Sequence, residues 1–183
     1  MIQCDAQYSV FHGIDANTKT CIFPAQMTIN QSKKPLLIVG VGNPYRQDDG
    51  IGPEIIRLLR KEKDLNCDLL DGGTDALALL DIIPNYEKTI IIDAVEMGMD
   101  PGTVKAFKPN EAKLKIQSDA LSTHGFGVIA LIELLNQLQV SSNLIIIGVQ
   151  AKSIDFGEGL SSEVVRQIPT VIKKLYEELK NPI

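Results

Sequence analysis

The stretch LLIVGVGNPYRQDDGIG, Leu36 to Gly52, decides how this chain is read. Its first six residues, Leu36 to Val41, are apolar throughout, the pattern of a parallel strand covered on both faces. Gly40 and Gly42 lead into a tight loop, and Pro53 stands at a favoured first-turn position of the helix that follows. Between them lie two adjacent carboxylates, Asp48 and Asp49. A dinucleotide fingerprint needs a third glycine where Tyr45 stands, and QDDG sets negative charge where a pyrophosphate should sit. The glycines therefore indicate a turn, and the carboxylates a cation.

Beyond Gly52 the chain alternates strand-like and helix-like segments. Further strands are expected at Cys67–Leu70, Thr89–Ala94, Thr103–Phe107 and Asn143–Val149. Thr103–Phe107 alternates in polarity between Pro101-Gly102 and Pro109, which marks an edge strand. Helices are expected from Pro53 to about Lys63, at Asp75–Ile83 with Thr74 as cap, at Gly125–Leu138 and at Ser161–Leu179. Pro169 should kink or split the last of these. This order predicts a single α/β domain of three layers, a twisted and mostly parallel five-stranded sheet with helices on both faces.

With 183 residues the chain has room for one such domain and not for two comfortable ones. Residues 35–183 are assigned to it. Residues 1–34 are polar and aperiodic, and are read as a loosely structured N-terminal extension from an upstream start, with Met27 the working start. A formal charge of −5 lacks the basic stripe that nucleic acid requires, and no apolar run approaches the roughly 18 residues of a membrane helix. Cys4, Cys21 and Cys67 form neither a CxxC pair nor an even framework, and no basic secretory n-region opens the chain. A reducing cytoplasm is the expected compartment.

In a parallel sheet, sites form outside the carboxyl ends of the strands, where strand order reverses. Asp48 and Asp49 follow the first expected strand, Asp71 in DGGT follows the second, Asp93 in IIDAV ends the third, and His124 in STHGFG opens the third helix. Each has an ordinary structural reading. Asp48 and Asp49 suit the N-terminal end of a helix, Asp71 before two glycines suits an Asx turn, and His124 alone suits a satisfied structural histidine. Asp93 resists such a reading, because an aspartate closing an all-apolar strand is costly to bury unpaired. As a set these carboxylates repel one another unless protonated or neutralised by a cation. Two carboxylates and one imidazole make a mixed oxygen and nitrogen site suited to nickel, iron or zinc.

The segments LLIVGVGNPYRQDDGIGPEII, DGGTDALALL, TIIIDAVEMGMDPGTV, LSTHGFG and IIIGVQAKSIDFGEGLS, in this order, resemble the hydrogenase maturation endopeptidases, which trim the large subunit of nickel–iron hydrogenases. The resemblance runs from about Leu36 to the C-terminal helix and implies a phosphorylase/hydrolase-like version of the three-layer fold. It also implies a metal site built from an acid in the first glycine loop, an aspartate ending the third strand and a histidine opening a helix. Position by position these fall on Asp49, Asp93 and His124. Some members carry glutamate where this chain has Asp49, which reaches one methylene less. The resemblance further implies that nickel mounted in the large-subunit precursor is the recognition mark, and that a short C-terminal extension is removed. A monomer acting on that precursor is expected.

On this reading Asp49, Asp93 and His124 grip a divalent metal for peptide hydrolysis, with Asp48 or Asp71 as orienter or base. Cys67 falls in the second strand, away from the rim, and no serine sits in a nucleophile elbow. In the loop Gln150–Gly159, Lys152 and Asp155 are either contacts for the precursor tail or ordinary surface residues. Two other readings use the same residues. One is a non-catalytic nickel-binding maturation chaperone. The other is a peptidyl-tRNA hydrolase-like enzyme, whose first strand and loop also read LIVGVGNP but which needs a histidine beside an asparagine near the place where QDDG stands.

Overall fold

A computed structural model describes residues 33–63, 65–111, 127–140 and 143–181. The reading of residues 1–32 as an extension lies outside them. The apolar run becomes β1, Lys34–Val41. Its side chains divide between two cores, Leu37, Val39 and Val41 entering one and Ile38 the other. Period-two geometry does this to any strand without a polar face.

The remaining strands are β2 (Asp68–Gly73), β3 (Tyr86–Val95), β4 (Val104–Phe107) and β5 (Asn143–Gln150). They form one sheet in the order β2-β1-β3-β5-β4. The first three and β5 run parallel, whereas β4 lies antiparallel to β5 at the edge. The residues between Val95 and Val104 are too few for a parallel crossover, so the chain must return in the opposite sense. The turn at Pro101-Gly102 makes that return, with the Gly102 N–H donating to the Gln150 carbonyl at 2.8 Å.

Four helices are described: α1 (Ile51–Leu59), α2 (Val128–Gln137), α3 (Ser162–Val165) and α4 (Ile168–Lys180). Pro169 splits the last expected helix and sits in the first turn of α4, where its missing N–H costs no hydrogen bond. The expected helix over Asp75–Ile83 is instead two short 3₁₀ turns, Ala76–Asp81 and Ile83–Asn85. Pro84 disfavours helical backbone at the residue before it, and the run is too short to recover. Its cap is Asp75 and not Thr74, the Asp75 carboxylate accepting from the Leu77 N–H at 3.0 Å. Helices α1 and α4 cover one face of the sheet, while α2 and the 3₁₀ turns cover the other. Inside β3 the buried Lys88 ammonium donates to the carbonyls of Glu178 (2.6 Å) and Asn181 (3.1 Å), satisfying acceptors that the end of α4 leaves open. No helix among the described residues is long and apolar enough to cross a membrane.

The first turn of α1 lies directly on main chain. A Cβ at Gly52 would stand 2.3 Å from the Val41 carbonyl oxygen and 2.7 Å from that of Ile92, and one at Gly40 would stand 2.2 Å from the Gly52 carbonyl oxygen. The helix therefore begins pressed against the ends of β1 and β3. Strand order reverses there, since the chain leaves β1 for β2 on one side and returns to β3 on the other. Because the obstructing atoms are backbone, Gly52→Ala is expected to lower stability by roughly 1–3 kcal/mol or more. In a thermal melt each kcal/mol appears as a drop of about 2–4 °C for a domain of this size.

Candidate active site at the strand switch

The loop joining β1 to α1 begins at Gly42, whose φ of +131° and close approach to the Asp49 carbonyl leave no room for a side chain. The Asn43 side-chain oxygen accepts from the Tyr45 N–H at 2.9 Å, and the Asn43 carbonyl accepts from the Arg46 N–H at 3.0 Å. Gln47 adopts a left-handed backbone with φ of +45°, and a 3₁₀ turn follows over Gln47–Gly50. Asp49 is held by this turn at both ends. Its N–H donates to the Arg46 carbonyl at 3.1 Å, and its Oδ2 accepts from the Asn43 N–H at 3.0 Å.

Asp93 lies near the end of β3, opposite Gly148 of β5. The residue keeps some exposed surface, but its carboxyl is packed among protein atoms. Burial pushes that carboxyl well above the usual range, the charge of Asp49 pushes it further, and a hydrogen bond with the Ala94 backbone opposes both. Asp49 thus lies near enough for its charge to act on the Asp93 carboxyl. A pair of this kind is stable either with a proton on one member or with a cation beside both. The donor chemistry therefore fits a hard or borderline metal ion. His124 lies outside the described residues. Among the described residues no group of three or more His, Cys, Asp or Glu side chains is placed to hold a metal.

Neighbouring candidates take other roles. Asp48 does not cap a helix. It is fully buried, and its two oxygens accept from the backbone of Lys152 (2.8 Å), Ser153 (3.2 Å) and Ser161 (2.6 Å) and from the Ser161 hydroxyl (2.9 Å). Asp71 accepts from the Gly73 N–H at 3.1 Å, the Asx turn expected of an aspartate before two glycines. Cys67 immediately precedes β2, at the end of the strand away from the switch, and burial pushes its thiol up, so it is a poor nucleophile. The Lys152 ammonium engages Glu163 at 2.8 Å, and the Asp155 carboxylate accepts from the Ser153 hydroxyl at 2.9 Å. Both residues named as possible tail contacts therefore have partners within the protein.

Two residues at the rim escaped the sequence reading. Gln150, buried at the end of β5, accepts from the Met97 N–H (2.7 Å) and the Met99 N–H (3.3 Å) and donates to Glu96 (3.1 Å), which fixes the segment leaving β3. The signal was available, because a glutamine closing an all-apolar strand raises the same question as Asp93. Ser161 signals only its local role, capping α3 by accepting from the Val164 N–H at 3.4 Å, and nothing near it in sequence announces its contact with Asp48.

A profile of the hydrogenase maturation protease family matches residues 53–178, a span that contains Asp93 and His124. The hydrogenase expression/formation protein HupD of Thiocapsa roseopersicina is 30% identical over 155 residues, covering 81% of this chain and 69% of that protein. The hydrogenase maturating endopeptidase HybD of Escherichia coli superposes with a TM-score of 0.70 at 26% identity, covering 80% of this chain and 92% of that one. The nickel–iron hydrogenase maturation protease HybD of Thermococcus kodakarensis gives a TM-score of 0.64 at 28% identity over 80% of this chain and 99% of that one. The match extends over most of the described domain, and its fold is the one reached above from the sheet and its crossovers. The chain belongs to the hydrogenase maturation protease family.

Proposed function

We propose that this protein is the endopeptidase that removes a short C-terminal peptide from the nickel-loaded precursor of a nickel–iron hydrogenase large subunit, using a metal held by Asp49, Asp93 and His124. The observation that carries the metal reading is the coupling of Asp49 and Asp93 at the reversal of strand order. Two acids whose charges act on one another at a buried position are stabilised by a positive ion beside them. When bound, such an ion supplies Lewis-acid polarisation of a peptide carbonyl and lowers the pKa of water from about 15.7 to roughly 7.

The chain's own residues supply placement. The Asn43 N–H restrains Asp49, the Ala94 backbone restrains Asp93, and the glycine contacts beneath α1 hold the two supporting elements together. Nickel mounted in the precursor is treated as part of the substrate. Its charge relieves the repulsion between the two acids, which a precursor without nickel leaves in place, so loaded precursor is the preferred partner.

Mass measurement of the precursor tests this directly. Wild-type protein is expected to release a short C-terminal peptide from nickel-loaded precursor and to leave nickel-free precursor intact. Asp93→Asn and His124→Ala are each expected to slow release on the order of a hundredfold or more. Cleavage at the wild-type rate by both variants removes the metal site, and tight binding without cleavage by wild type identifies a chaperone instead.

The Asp93 carboxyl also gives stability a sign. Its folded-state value is raised, so the folded protein holds the proton more tightly than the unfolded chain, whose aspartates titrate near about 3.9. Stability of chelator-treated protein should therefore fall as pH rises from about 4 through the raised folded value. Asp93→Asn removes this penalty. Its melting temperature is expected to exceed that of metal-free wild type at pH 7 and to converge with it below about pH 4, a difference readable by circular dichroism.

A further inference from the structure

Asp48 and Asp49 are neighbours in sequence, yet only Asp49 belongs to the coupled acid pair. Asp48 is buried as a whole residue, and its carboxylate accepts hydrogen bonds from residues 152–161. Its own N–H donates back to the Ser153 carbonyl at 3.1 Å. Around it the two loops are joined further. The Gln47 N–H donates to the Gly157 carbonyl (2.9 Å), the Gly157 N–H donates to the Tyr45 carbonyl (3.0 Å), and Arg46 Nε donates to the Ile154 carbonyl (3.0 Å).

A buried carboxylate is tolerated only when donors surround it. All four contacts to Asp48 are donors, so an amide in its place would turn an NH₂ group toward a donor. The second loop also leads back to the site. It continues β5, and β5 is hydrogen-bonded to β3 beside Asp93, which lies opposite Gly148. Contacts therefore run in a closed circuit from Asp49 through Asp48, the 152–161 loop, β5 and β3 to Asp93.

We propose that Asp48 is a positioning residue that locks the Asp49 turn and the 152–161 loop into one unit, so that the placement of Asp49 against Asp93 is set from the distant loop. Only the kinetic consequence rests on the endopeptidase reading. The coupling itself is a property of the free protein.

Amide hydrogen exchange on the free full-length protein, paired with cleavage kinetics, tests the proposal. In Asp48→Asn, exchange is expected to quicken at least about tenfold at Gln47, Asp49 and Gly157 together, while Ile91 and Ile146 in the core stay protected. The kcat for nickel-loaded precursor should fall roughly 10- to 100-fold, with KM changing less than about threefold, as expected when a group is misplaced without loss of substrate binding. Ser161→Ala, which removes one donor, should lower kcat by roughly three- to tenfold, and Ser161→Thr, which keeps the hydroxyl, should restore it. Quickened exchange at Gly157 with Gln47 and Asp49 unchanged would overturn the proposal, since Asp48 would then anchor the loop alone. A folded Asp48→Asn that cuts at the wild-type rate overturns it as well. Should Asp48→Asn fail to fold, Ser161→Ala decides by the same joint loosening of both loops. If wild type cuts no precursor, the endopeptidase reading falls, and the exchange measurements still decide the coupling.

Discussion

The first turn of α1 rests on the ends of β1 and β3 main chain to main chain, and the rest of the site depends on that contact. A helix normally stands off a sheet by the thickness of its side chains. Here Gly40 and Gly52 remove that thickness at the point of closest approach. The loop that precedes the helix must then turn within a few residues, which requires the positive φ of Gly42 and the left-handed backbone of Gln47. Asp49, carried on that turn, is delivered to the end of β3, where Asp93 waits. A bulkier contact beneath α1 would lift the turn and separate the acids.

Three carboxylates meet different fates within this small region. Asp48 is surrounded by N–H and O–H donors, so its charge is satisfied and contributes to order. Burial and the charge of Asp49 instead push the Asp93 carboxyl well above the usual range. The contrast arises between adjacent residues because a turn sends successive side chains in different directions. Two neighbouring acids thereby meet opposite electrostatic surroundings within one short segment.

The sheet was legible in the sequence because uninterrupted apolar runs leave little alternative to a strand buried on both faces. The flanking prolines and glycine marked β4 as an edge, and Pro169 marked the break between α3 and α4. Asp93 stood out for the same reason, as a charge inside such a run. Local signals failed where long-range contacts decide. Asp48 was read against the nearby helix, but its Ser161 partner lies 113 residues away. The two 3₁₀ turns after β2 were read as one helix because apolar spacing does not register how little length Pro84 allows. The residues alone made the helix-end reading fit Asp48 better than Asp49, and the family resemblance placed the site on Asp49.

The reversal of strand order sets the position of the β1 and β3 ends by connectivity. Main-chain pairing joins β1 to β3, whereas the 43–50 and 152–161 segments are joined to one another by loop hydrogen bonds outside that pairing. Tyr45 and Phe156 stand exposed on those two segments, with the Arg46 guanidinium 4.9 Å from the Phe156 ring. Substitution at such exposed positions leaves the strand pairing beneath the loops unchanged. A fold still superposable on the Escherichia coli endopeptidase at 26% identity is what that division of labour permits.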